Sequence, residues 1–428
     1  MSTETVRPLI ARLTAGWHQA ARPASLREHY ARYGPRPEAG RDLPDAVAAA
    51  GLTGRGGAGF PTGVKMRAVA AGRGRAVVVA NGMESEPASE KDQALLARAP
   101  HLVLDGAVLA ARAVGADTVH VCLDRERGQQ ITALMKAVSE RERARVDPLP
   151  IMVHELPRHY VSSEETSLVR WLNGGDARPV TTPPRPSERG VGRSPTLVDN
   201  VETLAHVALI ARYGPAWFRS AGSSDAPGTF LVTAAGAVAG PGVYEIEGGT
   251  LAGDVLEMSG AVEDGYVLIG GYAGTWHPVS EVARLPMTAA GLRAAGATPG
   301  AGLVLPLGPG SCGLVETTRI LGYLARESAQ QCGPCRFGLP AIADDFAQLT
   351  TGRSGDGTLD RLHRRLGVIP GRGACRHPDG AVRLAASALT AFAGDVRAHA
   401  AGQPCAAFRQ GRAAGLPMPR PRAEGQWR

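Results

Sequence analysis

Residues 51–65 read GLTGRGGAGFPTGVK. Glycine lets a backbone approach a ligand closely, and successive N–H groups in such a loop can wrap an anion. Lys65 would add a point charge suited to a phosphate. The run contains a formal G-x-G-x-x-G at Gly54, Gly56 and Gly59. A dinucleotide-binding turn of that type needs a strand before it and a helix after it. Here PDAVAAAG (44–51) reads as a short helix stopped by Gly51, so the Rossmann reading is rejected. Taken alone, the run reads more readily as a flexible surface loop.

Outward from this loop, the chain alternates. An apolar β-type run spans 76–80, and 91–114 has apolar positions at helical spacing with Gly115 as a stop. Residues 117–123 (DTVHVCL) read as a strand, 127–141 as a helix and 149–156 as a further strand. A helix is expected over about 200–212. Strand–helix alternation predicts an α/β layer with a mostly parallel sheet. Short Val/Ile/Thr runs broken by Gly and Pro fill 228–280 and predict a small separate β domain; from Val315 to about Ala400 the pattern is helical. The expected divisions are a lead-in at 1–43, an α/β domain at 44–220, a β domain at 226–285, a helical domain at 305–402 and a disordered basic tail at 403–428.

Composition narrows the function classes. The net charge is +7, carried by 44 arginines and three lysines (Lys65, Lys91, Lys136). The arginines are scattered and aromatics make up only 5%, so no nucleic-acid-binding stripe is expected. A basic face could still steer an acidic partner protein. No run of about 18 apolar residues is present, so no transmembrane segment is expected, and the first residues lack the apolar stretch of a secretory signal. The cytoplasm is the expected location. Six cysteines in 428 residues do not make a disulfide scaffold; clustered ones point to a metal or redox centre.

Three further segments accompany the glycine loop: NGMESEPASEKD (81–92), YVSSEETSL (160–168) and SPTLVDNVETLAHV (194–207). Together and in this order, the four resemble the motifs of one family, that of the NADH-binding 51 kDa (F) subunit of respiratory complex I and its relatives in NAD-linked hydrogenases and formate dehydrogenases. The resemblance covers roughly 45–400. It implies an α/β flavin-binding domain, a β-grasp (ubiquitin-like, soluble-ligand-binding) domain and a C-terminal helical bundle that carries an iron–sulfur site. Carried over residue by residue, it implies FMN contacts at Gly56, Gly57, Lys65, Asn81, Glu84, Glu164, Asn200 and Thr203. It implies dinucleotide contacts at Phe60, Glu86 and Glu165. Without it, the acidic pair Glu164–Glu165 would read as a solvated helix N-terminus.

ESAQQCGPCRFG (327–338) resembles the family's cluster motif E-S-C-x-x-C-x-P-C-R. Cys332 and Cys335 match it, Cys375 follows 40 residues after Cys335, and Ala329 stands where the first cysteine is usual. A cubane cluster takes four thiolates. Three could hold a [3Fe–4S] cluster, or a [4Fe–4S] cluster with an outside ligand, and Cys312 in GPGSCG could replace the lost one. A vestigial site, a zinc site and a C-x-x-C thiol pair stay open as alternatives. Cys122 is expected to be simply buried, and Cys405 has no evident role. Other departures are Met83, Ser163, Ala68, Thr182 and Arg185, the last where a phenylalanine is usual. Arg185 would suit a phosphorylated dinucleotide or a different donor.

The expected activity is electron transfer from NAD(P)H through FMN to an iron–sulfur centre and on to a ferredoxin-like partner, with peripheral association to a membrane redox complex left open. No protein acid or base is required for the hydride step. The rival expectation is a catalytically degenerate docking protein of a redox complex, which the missing cysteine and the eroded aromatics favour.

Overall fold

The computed structural model describes residues 11–17, 22–262, 264–353, 355, 357–403, 405–409, 415–419 and 426–428. Parts of the expected lead-in and tail lie outside these.

The first layer is a parallel sheet of β1 (Ala76–Gly82), β2 (Ala116–Asp124), β3 (Ile151–Leu156) and β4 (Thr196–Asn200), in the order β3-β2-β1-β4. The expected alternation is present. Helices α1 (Leu26–Tyr33), α2 (Leu43–Ala50) and α3 (Thr62–Ala70) precede β1. The 91–114 segment is not one helix, as its periodicity predicts, but two: α4 (Lys91–Arg98) and α5 (Pro100–Val114), meeting at 97°. Proline disfavours helical geometry in the residue before it, and Ala99 sits at φ −132°, ψ 50°. The break lets α5 turn inward. All of α5 is buried except Arg112. Helix α6 (Gly128–Ala144) links β2 to β3, α7 (Glu165–Leu172) follows β3, and α8 (Val201–Arg219) leaves β4 directly. Helix α8 outruns its expected end at 212, bending at Gly214 (φ 83°) before Pro215.

The order of the strands matters. From β1 the chain steps to β2 and β3 on one side, then returns to place β4 on the other. A crevice forms where connections diverge in this way, at the carboxyl ends of the strands. That rule places it beyond Asn81 and Asn200, which are paired in register at the strand ends.

The second sheet holds β5 (Thr229–Ala234), β6 (Gly242–Glu247), β7 (Tyr266–Ile269), β8 (Thr275–Pro278) and β9 (Leu303–Pro306), ordered β6-β5-β9-β7-β8. Helix α9 (Ala252–Met258) and the short α10 (Val279–Val282) and α11 (Ala289–Leu292) lie between these strands in sequence. β9 pairs parallel with β5 and antiparallel with β7. The expected end at 285 therefore cuts the sheet short: its central strand, β9, comes after it and straddles the expected start of the helical domain at 305.

Helices α12 (Gly313–Arg326), α13 (Leu339–Thr350), α14 (Thr358–Val368), α15 (His377–Ala391) and α16 (Ala393–Ala400) share a core that includes Leu314, Ile342, Phe346, Leu362, Leu384 and Phe392. A four-residue helix, α17 (Ala406–Arg409), follows. Among the described residues, no single helix is long and apolar enough to cross a membrane.

Segments on either side of these layers are tied to them. Glu245 accepts hydrogen bonds from the backbone N–H groups of Arg12, Leu13 and Thr14 at 2.9–3.0 Å. Two side chains of the expected disordered tail are packed: Leu416 is buried, and the Trp427 ring stacks on His159 with centroids 3.7 Å apart. An aromatic ring buried between a histidine and Arg178 outweighs the Pro/Arg composition that predicts disorder.

Candidate functional site

The glycine loop closes on itself at the crevice. Gly54 N–H donates to the Phe60 carbonyl at 2.8 Å, and Thr53 bridges Pro61. The backbone from Gly56 to Gly59 is exposed, as is the Phe60 ring. Gly57 adopts φ 102°, which an L side chain rarely takes. Arg55 N–H donates to Thr203 Oγ at 2.9 Å, so the loop rests on the first turn of α8. Thr203 is wholly buried and spends its hydroxyl on this contact. Asn200 caps α8 by accepting from Glu202 N–H at 2.9 Å, and donates to Asp92 Oδ2 at 2.6 Å.

Lys65 reaches the same place from α3. Its ammonium donates to Glu165 Oε2 at 3.0 Å and to the Val198 carbonyl, and lies 3.8 Å from Asp199. Burial pulls its pKa down, but the carboxylates of Asp199 and Glu165 overcome this and leave it raised. The expected free point charge is thus held in a carboxylate cage. Burial pushes Asp199 up to about 6 despite Lys65, and its Oδ2 is a buried acceptor with no hydrogen-bond partner among the described residues.

Asn81 donates to the Ser163 carbonyl at 2.9 Å, drawing the 160–163 turn over the strand ends. Glu84 takes φ 36°, an unusual value for a side-chain-bearing residue. That backbone aims its carboxylate at the N–H groups of Asp92 and Gln93, both at 2.9 Å, at the start of α4. Burial, with Asp92 close by, raises Glu84 to about 7. Glu164 likewise caps α7, accepting from Thr166 N–H at 2.9 Å. Glu86 accepts from Tyr160 Oη–H at 2.8 Å and from Tyr272 N–H at 3.1 Å, and burial raises it to about 7.

Several residues here escaped sequence reasoning. Lys91 is buried between Asp92 Oδ1 (2.7 Å) and Glu202 Oε2 (2.9 Å), and Glu202 also accepts from Leu231 N–H at 2.8 Å, bolting the site to the second sheet. Asp199, Asp92 and Glu202 all stand inside the quoted motifs. Lys91 stands there too, and the rarity of lysine was a further signal that it mattered.

The thiol group borders this crevice. Cys332, Cys335 and Cys375 influence one another electrostatically, and Glu164 lies close enough to Cys375 to raise it, after burial, to about 11. The loop carrying the thiols is fastened to the 159–179 segment. Glu327 meets His159 Nδ1 at 3.3 Å, Arg170 donates to Gln331 Oε1 at 2.9 Å, and Gln331 donates to the Pro179 carbonyl at 2.9 Å. Ala329 is buried in an apolar cluster with Val161 and Trp427. Cys312, considered above as a replacement ligand, is placed elsewhere, with its Sγ 3.8 Å from His399 Nε2. Cys122 is fully buried in β2, as expected. Arg185 donates its backbone N–H to Glu188 at 3.1 Å in an exposed loop.

Comparison with known proteins agrees with this geometry. Residues 47–209 match the family model of the Nuo51 FMN-binding domain, and 316–399 that of the NADH-ubiquinone oxidoreductase-F iron-sulfur binding region. The F subunit of NADH-quinone oxidoreductase from Streptomyces coelicolor is 34% identical over 85% of this chain and 84% of its own length. Its Escherichia coli counterpart is 34% identical over 82% of each. Among solved structures, an NAD+-reducing [NiFe]-hydrogenase in its air-oxidized state superposes with a TM-score of 0.79 at 30% identity, over 91% of this chain and 67% of that one. The H2-reduced form gives 0.76 at 32% identity over 85% of this chain, which spans 63% of that chain's length. The strand-end crevice, the thiol group beside it and these matches lead to one conclusion: the chain belongs to the family of the NADH-quinone oxidoreductase F subunit.

Proposed function

We propose that this chain is a flavin-dependent oxidoreductase subunit that takes electrons from NAD(P)H through FMN to an iron–sulfur centre, and on to a ferredoxin-like partner within a larger redox assembly in the cytoplasm. The observation that carries this reading is adjacency. The thiol loop is bolted to the same 159–179 segment that closes the crevice, and Glu164, within that segment, lies near enough to Cys375 to help raise its thiol.

The residues fit the flavin. The exposed backbone of Gly56 and Gly57 above the α8 N-terminus suits a phosphate, the helix end favouring negative charge. Asn81, Asn200 and Thr203 line or support the strand ends, with Glu84 and Glu164 holding α4 and α7 in place. The unpartnered Asp199 Oδ2 calls for an N–H or hydroxyl donor. Lys65 stays cationic and fixes Asp199 and Glu165 around it. The exposed Phe60 ring offers a stacking face, and Glu86 and Glu165 offer acceptors for a dinucleotide's ribose and amide groups. Bound FMN supplies the conversion of a hydride into single electrons, which the protein only positions.

The three thiols Cys332, Cys335 and Cys375 fit three irons of a cluster. Ala329 supplies no donor, and Val161 and Trp427 cover it, so a fourth iron would need an outside ligand. The strand order β6-β5-β9-β7-β8 with α9 supports the β-grasp reading of the middle domain, and the shared core of α12–α16 supports a helical bundle.

An anaerobic absorption spectrum, before and after NADH and then NADPH, tests the proposal. A flavin band that bleaches with either nucleotide is the expected result, above a broad charge-transfer background. A colourless protein that does not take up added FMN would leave the docking-protein reading in its place.

A further inference from the structure

The segment after α16 meets the start of α12 at a second, separate cluster of metal-ligating groups. Cys312 Sγ, His399 Nε2 and Cys405 Sγ all lie within 4.8 Å of one another. None of the three belongs to the crevice or to the Cys332 group. We infer that Cys312, His399 and Cys405 form a binding site for one zinc-class divalent ion, which fastens the C-terminal segment to the helical domain.

The donor set is the first reason. Two thiols and an imidazole are soft-to-borderline ligands that favour zinc over magnesium or calcium. The histidine is already oriented for the role. His399 is fully buried, and its Nδ1 lies 3.0 Å from the Thr350 carbonyl at the end of α13. A carbonyl can only accept, so Nδ1 carries the proton and Nε2 presents its lone pair to the two sulfurs. A ligand histidine in a metal site has its second nitrogen held in this way.

The sulfur side is prepared as well. Cys312 is the N-cap of α12, and its buried Sγ faces His399 Nε2 at 3.8 Å. The helix N-terminus favours negative charge there, but burial outweighs it and keeps the thiol protonated until an ion displaces the proton. Phe408 packs edge-on to the imidazole, centroids 5.8 Å apart, and shelters the group from one side. Without metal, Nε2 accepts from Cys405 N–H at 3.1 Å. Binding exchanges that contact for a metal bond and releases two thiol protons, so the divalent ion enters with no net change of charge. Three protein ligands leave one position for water.

The test uses the full chain, loaded with Zn2+ and then desalted, with zinc and iron counted separately by elemental mass spectrometry. Wild type is expected to retain about one zinc per chain. Cys405→Ser and His399→Gln should each lower zinc affinity at least about 100-fold while keeping iron. Cys375→Ser should do the reverse. Cys405 is only half-buried, so its serine variant is the one best suited to fold. A second readout needs no variant: Zn2+ should slow tryptic cleavage after Arg409 in the wild type. Equal zinc in wild type and Cys405→Ser, a Cys312–Cys405 disulfide in place of metal, or unchanged cleavage with Zn2+ would each overturn the site.

Discussion

Glu86 shows how one buried carboxylate couples the crevice to the stability of the whole chain. Its carboxyl accepts from Tyr160 and Tyr272, yet burial dominates and lifts it to about 7. A raised acid binds a proton more tightly folded than unfolded. It therefore has no effect on stability below the unfolded value near 4.5 and destabilises the fold increasingly as pH rises from there through about 7. Replacing Glu86 by Gln removes the ionisation. Urea unfolding of Glu86→Gln at pH 5 and pH 8 should show a smaller drop across that interval than the wild type; an identical drop would assign the pH dependence elsewhere. The motifs named Glu84, Glu164 and Asn200 as flavin contacts, but not that all three spend oxygens capping helices. A capping carboxylate and a ligand-binding one look alike in a sequence, because each is an acceptor just before a helical run. The caging of Lys65 by Asp199 and Glu165 was equally hidden, since its partners lie about 100 and 130 residues away in sequence.

At the scale of elements, α5 and α8 cross so closely that the Leu204 carbonyl occupies the space where a Cβ on residue 106 would lie. Glycine at 106 is what permits this approach, and α8 carries Asn200 at its cap. Gly106→Ala should cost about 3 kcal/mol by overpacking, read as a lowered urea midpoint, and should weaken FMN retention alongside. The strands and helices around β1 to β4 were legible because their apolar runs are long and their breakers sit at the ends. The bend at Pro100 was readable in principle, but continuous apolar periodicity on both sides masked it. β9 was not legible. LVLP is four residues long, and what makes it a strand is pairing with β5 and β7, far away in sequence. Boundaries drawn from composition accordingly fell short of the sheet's centre.

Across the whole molecule, the outlying segments act as fasteners. The backbone of Arg12 to Thr14 is gripped by Glu245, and Trp427 is clamped between His159 and Arg178. Trp427→Ala should release the segment that carries it. Trypsin cleavage between residues 409 and 425 is expected to accelerate roughly tenfold, the equivalent of about 1.4 kcal/mol of lost local protection. Equal cleavage rates would mean that the stack contributes nothing to holding this segment in place. The tail's Pro/Arg composition gave no warning of this, because the buried contacts come from single side chains such as Leu416 and Trp427 rather than from a patterned run.

The position of that tryptophan sets an order in time. A ribosome adds residues one after another, and Trp427 follows Cys332, Cys335 and Cys375 in the sequence. All three thiols have therefore left the ribosome's catalytic centre before the ring that covers Ala329 is made.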